Sequence, residues 1–312
     1  MLLEHIPVLT RELLSYLDVK TAGVYLDCTG GAGGHALKIL EKLSDEGKLI
    51  IIDRDEFAVS RLREVFRNRK NVNICKANFK DVDILLEDIG IAGVDGIYAD
   101  LGMSSFQVKD PERGFSFKVD GFLDMRMDKS QSLTAYDVIN TFSEETLFNI
   151  VKKYGQEVFA KRIARVIVRS RSLKKINTTL QLANIIRSVI PKKYANKMLI
   201  DPATKTFQAI RIFVNGELES LEELLKKIEK VVNPWGRAVF ISFHSLEDRL
   251  IKEKFEYFAK DCICPPNIPV CVCNKKKTFK ILTKKPVIAS QVEKQTNPLS
   301  RSAKLRTAER LP

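Results

Sequence analysis

The chain has 312 residues, 45% apolar and 29% charged, enough for one large domain or two smaller ones with a full core. No apolar run reaches membrane-spanning length and the first residues lack a signal-peptide apolar region, so a cytoplasmic protein is expected; six cysteines there argue against a disulfide framework. The net charge of +13 is uneven: residues 1–150 carry 18 Lys and Arg against 25 Asp and Glu, 151–200 carry 13 against 1, and 251–312 carry 14 against 5, which points to a polyanion as partner, most simply nucleic acid.

Thr10 is placed to cap a short helix over 11–17. A buried parallel strand is predicted at 24–26, closed by Asp27, with a turn rich in glycine (Gly30, Gly31, Gly33, Gly34) and then a helix over 36–43. Strand, glycine turn and helix open a nucleotide-binding unit, in which glycines let the backbone approach a ligand. Residues 31–36 also satisfy the dinucleotide pattern. Asp27 before the glycines suits a cationic ligand better than a pyrophosphate, because a carboxylate repels phosphate and attracts a sulfonium or ammonium.

A second strand at 48–53 ends in Asp53, 20 residues after Gly33, where an acid accepts hydrogen bonds from ribose hydroxyls. A helix follows at 57–68, then a strand at 72–75 and Phe79, which can stack on a base or sit in the core. A fourth strand at 95–100 ends in Asp100. Ligands of open α/β sheets bind outside the carboxyl ends of the strands, where Asp27, Asp53, Phe79 and Asp100 would project together.

The rhythm then breaks. Residues 106–128 read as a long loop, and helical patterns follow at 144–154, 157–171, 179–188 and 207–215 with no clear strand among them. The α/β pattern resumes with an amphipathic helix at 217–232, a strand at 236–243 and a helix at 246–259. The end is basic and irregular, with a strand predicted at 278–282.

His244, Ser245 and Asp248 invite a hydrolase reading, but no G-x-S-x-G is present, and Ser245 with Asp248 reads better as a helix cap. Cys262, Cys264, Cys271 and Cys273 could hold zinc tetrahedrally, although C-x-C matches the usual C-x2–4-C only weakly. The alternative is four cysteines in a loop stiffened by Pro265, Pro266 and Pro269. No metal ligand is assigned among the site residues.

Nine strings occur in order: HIPVL (5–9), DCTGGAGGH (27–35), DRD (53–55), DLGMSS (100–105), RGFSF (113–117), LDMRM (123–127), TFQAIR (206–211), SFHSLEDR (242–249) and SRSAKLR (300–306). Together they resemble the bacterial ribosomal RNA small-subunit methyltransferase H family over nearly the whole chain. The resemblance implies a Rossmann-like α/β sheet that uses S-adenosylmethionine, with an inserted all-helical domain. It implies methylation of N4 of a cytidine in the decoding region of 16S ribosomal RNA, with the small ribosomal subunit as partner. Cofactor contacts would fall on Gly33, Gly34, His35, Asp53, Phe79, Asp100 and Gln107; His35 and Gln107 rest on the resemblance alone.

The expected organisation is a discontinuous methyltransferase domain over 1–105 and 215–312, and a basic, RNA-recognising helical domain over 106–214. Cytosine N4 is a poor nucleophile, its lone pair being delocalised into the ring. Asp100 is the best-placed acceptor for its proton, with the backbone carbonyls of Leu101 or Gly102 as rivals and cofactor binding as the competing role of Asp100. Two other functions are weighed. A NAD-dependent oxidoreductase explains residues 31–36 and Asp53 but not Asp27, Asp100 or the charge blocks. A nucleic-acid-binding module without catalysis has no use for the set of cofactor residues.

Overall fold

The structure is a computed structural model that describes residues 7–196, 199–265 and 270–312. His5 and Ile6 of the first string, and Pro266 and Pro269 between the cysteine pairs, lie outside the described residues. The chain forms two compact units, Met1–Gly102 with Leu218–Pro312, and Met103–Glu217.

The first unit begins with α1 (Thr10–Leu17). Thr10 does not cap it; Leu9 takes the N-cap position in the left-handed region, φ 52°, and the Thr10 hydroxyl donates to the Pro7 carbonyl at 2.9 Å. The chain continues through β1 (Val24–Asp27), α2 (Gly34–Leu40), β2 (Lys48–Asp53), α3 (Glu56–Val65), β3 (Val72–Lys76), α4 (Val82–Asp88) and β4 (Val94–Asp100). Asp55 stops β2 from running on, because its carboxylate accepts the Phe57 N–H at 3.1 Å and so starts α3.

The second unit is helical. It contains α5 (Ser105–Lys109), α6 (Ala135–Thr141), α7 (Glu144–Gly155), α8 (Ala160–Leu173), α9 (Thr179–Val189), α10 (Lys192–Ala195) and α11 (Thr204–Asn215). The helix expected at 157–171 starts three residues later, because the Glu157 carboxylate turns back to accept the Phe159 N–H at 2.9 Å. Residues 106–128, read as a loop, hold most of α5 and a 3-10 turn at Pro111–Arg113 and are otherwise irregular, yet they are tied down. The Arg113 guanidinium donates to the carbonyls of Arg126 and Met127 at 3.0 and 2.9 Å. Asn215 of α11 accepts the Met127 N–H and donates to the Met125 carbonyl, both at 2.7 Å. Buried backbone without a helix or sheet partner needs such side chains to satisfy it.

The chain returns through α12 (Glu217–Val231), β5 (Val232–Ser242), α13 (Ser245–Phe258), β6 (Phe279–Ile281), β7 (Val287–Ile288), α14 (Gln291–Thr296) and β8 (Lys304–Arg310). The end is therefore not irregular. β8 pairs antiparallel with β5, β6 and β7, and Leu305, Thr307 and Ala308 are buried along it. The eight strands form one sheet of order β3-β2-β1-β4-β5-β8-β6, with β7 paired to β8. β1 to β5 are mutually parallel.

Alternation along the strands supplies both faces. Leu49, Ile51, Tyr98, Val239 and Ile241 pack with α1 and α2 through Leu13, Leu17, Ala36 and Ile39. Ile50, Ile52, Ile97, Ala99 and Phe240 pack with α12 and α13 through Leu224, Ile228 and Phe255. A parallel sheet covered on both faces needs such continuous apolar runs, and each fully buried Leu or Ile contributes about 1.5–3 kcal/mol.

Candidate active site

The sheet order reverses between β1 and β4: β2 and β3 lie on one side, β5 on the other. The crevice at such a reversal, outside the carboxyl ends of the strands, is where open α/β sheets take ligands. The glycine turn crosses this point. Gly33 sits at φ 79°, and a Cβ on it would lie 3.0 Å from Leu62 and 3.2 Å from Phe66. Gly34 opens α2, and a Cβ there would meet Pro7 at 2.8 Å. Pro7 is thus seated on the turn. His35 is buried, with Nε2 2.9 Å from the Val8 carbonyl. A carbonyl only accepts, so Nε2 carries a proton and donates. Nδ1 then faces Asp100 Oδ2 at 3.7 Å.

Asp53 ends β2. Its Oδ2 accepts the Gly31 N–H at 2.8 Å and its Oδ1 the Asp55 N–H at 2.9 Å. A carboxylate has about four lone-pair directions, so each oxygen keeps one for a further donor. Burial raises the Asp53 pKa, and the Asp55 and Gly31 N–H groups oppose the rise.

Asp27 does not project toward a ligand as expected. It is 1% exposed: Oδ2 accepts the Tyr98 hydroxyl at 2.5 Å and Oδ1 the Thr29 N–H at 2.9 Å. Burial pushes it up to about 7, against those two hydrogen bonds. Thr29 in turn holds Asp100, its hydroxyl oxygen accepting the Asp100 N–H at 2.7 Å. Asp100 ends β4. Its side chain is 24% exposed, but Oδ1 is sealed and has no hydrogen-bond partner among the described residues. Burial, then the charges of Asp27 and Glu247, push Asp100 up to about 8. Carboxyls sharing so small a volume favour a bound cation, which relieves their mutual repulsion.

Phe79 begins a 3-10 turn, Phe79–Asp81, just beyond β3; its ring is half-buried and packs on the α12-side core. Gln107 lies in the other unit, within α5, where its Oε1 accepts the Ser104 N–H at 3.1 Å and completes a capping box. Gly33, Gly34, His35, Asp53 and Asp100 therefore gather at the ends of β1, β2 and β4, with Phe79 at the end of β3.

Sequence reasoning gave no role to Tyr98, Thr29, Pro7, Val8 and Glu247. The last four lie in the strings that carry the resemblance, while the signal at Tyr98 is a polar tip inside an apolar strand two residues before Asp100. The cap of α13 also falls one residue earlier than expected. His244 is the N-cap and Glu247 its capping-box partner. Asp248 pairs instead with Arg306, at 2.6 Å, and Lys304, at 3.2 Å, so the three residues of the hydrolase reading do not form a relay.

The profile of the MraW methylase family matches residues 2–311. Two curated relatives carry the name Ribosomal RNA small subunit methyltransferase H. The one from Caldicellulosiruptor saccharolyticus is 51% identical over 99% of both chains. The one from Halothermothrix orenii is 47% identical, again over 99% of both. An rRNA methylase structure from Streptococcus thermophilus aligns loosely over 100% of each chain, at 9% identity and a TM-score of 0.43.

Proposed function

The chain belongs to the MraW methylase family, and on that premise we propose that it methylates N4 of a cytidine in the decoding region of 16S ribosomal RNA, using S-adenosylmethionine. The observation that carries this reading is the sealed, unpartnered Oδ1 of Asp100 beside a second buried acid. An orphaned acceptor of this kind is costly unless a ligand donates to it or brings a positive charge close. A dinucleotide would bring pyrophosphate to the same acids and be repelled.

Asp53 offers its two remaining lone pairs to the ribose hydroxyls, and Phe79 a ring face to the adenine. The turn through Gly33 and Gly34 lets the backbone approach the amino-acid tail; Gln107 is carried as a contact on the family resemblance alone. S-adenosylmethionine supplies a methyl on a sulfonium: the S–CH3 bond breaks with its electron pair going to sulfur as the N4–CH3 bond forms. Asp100 accepts the proton that N4 must lose, aided by His35, whose Nδ1 lies 3.7 Å from Oδ2. A cation nearby favours the carboxylate form of Asp100, the form able to accept.

Residues 1–105 and 215–312 are proposed as the methyltransferase domain, and 106–214 as the part that recognises RNA in the small subunit. The cytoplasm is the proposed location; among the described residues no helix is long and apolar enough to cross a membrane. The deciding experiment maps methylated nucleosides of 16S ribosomal RNA by mass spectrometry in cells with and without this protein. Loss of one N4-methylated cytidine is expected; an unchanged map sinks the reading.

A further inference from the structure

The one cluster of metal-ligating side chains found among the described residues is far from the strand tips in sequence and is not among the residues proposed for methyl transfer. It lies between α13 and β6, in a stretch with no helix or strand among its described residues. Ile263, Val270 and Val272 in this stretch are 47%, 70% and 70% exposed. Apolar side chains facing water supply no core, so a fixed conformation here needs a cross-link of another kind.

We propose that Cys262, Cys264, Cys271 and Cys273 bind one zinc ion that fixes this excursion. The four Sγ atoms lie within 4.8 Å of one another. Cys262 is 3.4 Å from Cys271 and 3.8 Å from Cys273; Cys271 is 3.5 Å from Cys273 and 4.0 Å from Cys264. Four thiolates at about 2.3 Å around a tetrahedral zinc stand about 3.8 Å apart, so these four separations need changes of a few tenths of an ångström and the remaining pairs, within 4.8 Å, at most about 1 Å. All four cysteines are free. The weak match of C-x-C to the usual spacing is answered in space, since the two pairs meet and supply two ligands each.

The surroundings fit thiolates. The N–H groups of Ile263, Cys264 and Val272 each donate to a sulfur at 3.4 Å, onto Cys273, Cys262 and Cys264 respectively. Such donors orient metal-bound sulfur and stabilise its charge. Zinc with four thiolates keeps a net charge of about −2, and Lys275, Lys276 and Lys277 follow after Asn274. A closed set of four sulfurs leaves no open position, so the role is structural.

The test uses the full chain, expressed with zinc in the medium and purified without chelators. Elemental analysis and native mass spectrometry should find about one zinc per chain, and the Cys262→Ser/Cys271→Ser double variant should lose it. Should that variant fold poorly, stripping zinc from the unaltered chain with a chelator serves instead. Amide exchange over 259–278 should then rise roughly tenfold or more while β1 to β4 stay protected. A zinc-free chain, iron in place of zinc, cysteines paired as disulfides in the freshly isolated protein, or full zinc retention by the double variant overturns the proposal. None of these readouts depends on methyl transfer.

Discussion

The strand tips and the helical unit handle charge in opposite ways. Asp27, Asp53 and Asp100 are few; named donors hold the carboxylates of Asp27 and Asp53 but not that of Asp100, and burial raises the pKa of each. The cations of α8 are many and solvated: Lys161, Arg162, Arg165 and Arg169 are exposed, and Arg165 reaches Glu144 only at 3.6 Å. Arg171 is the exception that makes the contrast clear. Its guanidinium is turned inward onto the carbonyls of Ile139 and Phe142, and burial lowers its pKa. A buried carboxylate is met only by a ligand small enough to enter the crevice, whereas exposed cations act together through solvent over about a Debye length and gather a polyanion.

The contrast breaks first at Asp100. Asp100→Asn should lower kcat by roughly 10²–10⁴-fold, the usual worth of a proton acceptor, with a much smaller change in KM for S-adenosylmethionine. Steady-state kinetics decide it; loss of affinity alone, with kcat kept, makes Asp100 a cofactor ligand only. Next come the solvated cations. Reversing Lys161, Arg165 and Arg169 to Glu together should weaken RNA binding roughly 10–1000-fold and flatten its salt dependence by about 2 in log–log slope. Cofactor affinity should not move; if RNA binding is equally untouched, α8 is not the RNA surface.

A smaller effect is expected at Asp53. Asp53→Ala removes the acceptor proposed for the ribose and should cost about 1–3 kcal/mol of cofactor affinity by calorimetry. Unchanged affinity means that the ribose lies elsewhere. The mildest test is pH. Asp100 is raised to about 8 in the cofactor-free protein. A bound cation lowers that value, so binding at neutral pH expels a proton. Affinity should therefore climb with pH by up to about tenfold per unit and level off above about pH 8. In Asp100→Asn the climb should shrink; an unaltered profile assigns it to another group.

The two regions were also unequally legible in the sequence. The ends of β2 and β4 could be read because a short apolar run stops at an acid, as at Ile52–Asp53 and Ala99–Asp100. Asp27 has the same pattern and a different role, because whether a strand-end carboxylate faces a ligand or a neighbour depends on the adjacent strand. Tyr98 of β4 turns it inward, and only register reveals that. β8 was hidden by its charges. Lys304 and Arg306 alternate with Leu305 and Thr307 and give the look of a basic tail, until Asp248 of α13 is seen to pair with both. The helices of the second unit were legible from their period, while the links through Arg113, Arg126 and Asn215 join residues up to 90 apart and leave no local trace.

The place of β8 has a consequence for how the molecule is made. Ser242 of β5 and Lys304 of β8 are 62 residues apart, and β5 itself follows β4 only after the whole helical unit. On a ribosome the newest central strand would wait with a bare flank while the remainder is translated, a state that invites pairing with other chains. A protein with this wiring matures late in its own synthesis, and nicks or frameshifts near residue 304 should yield insoluble product rather than a weakened enzyme.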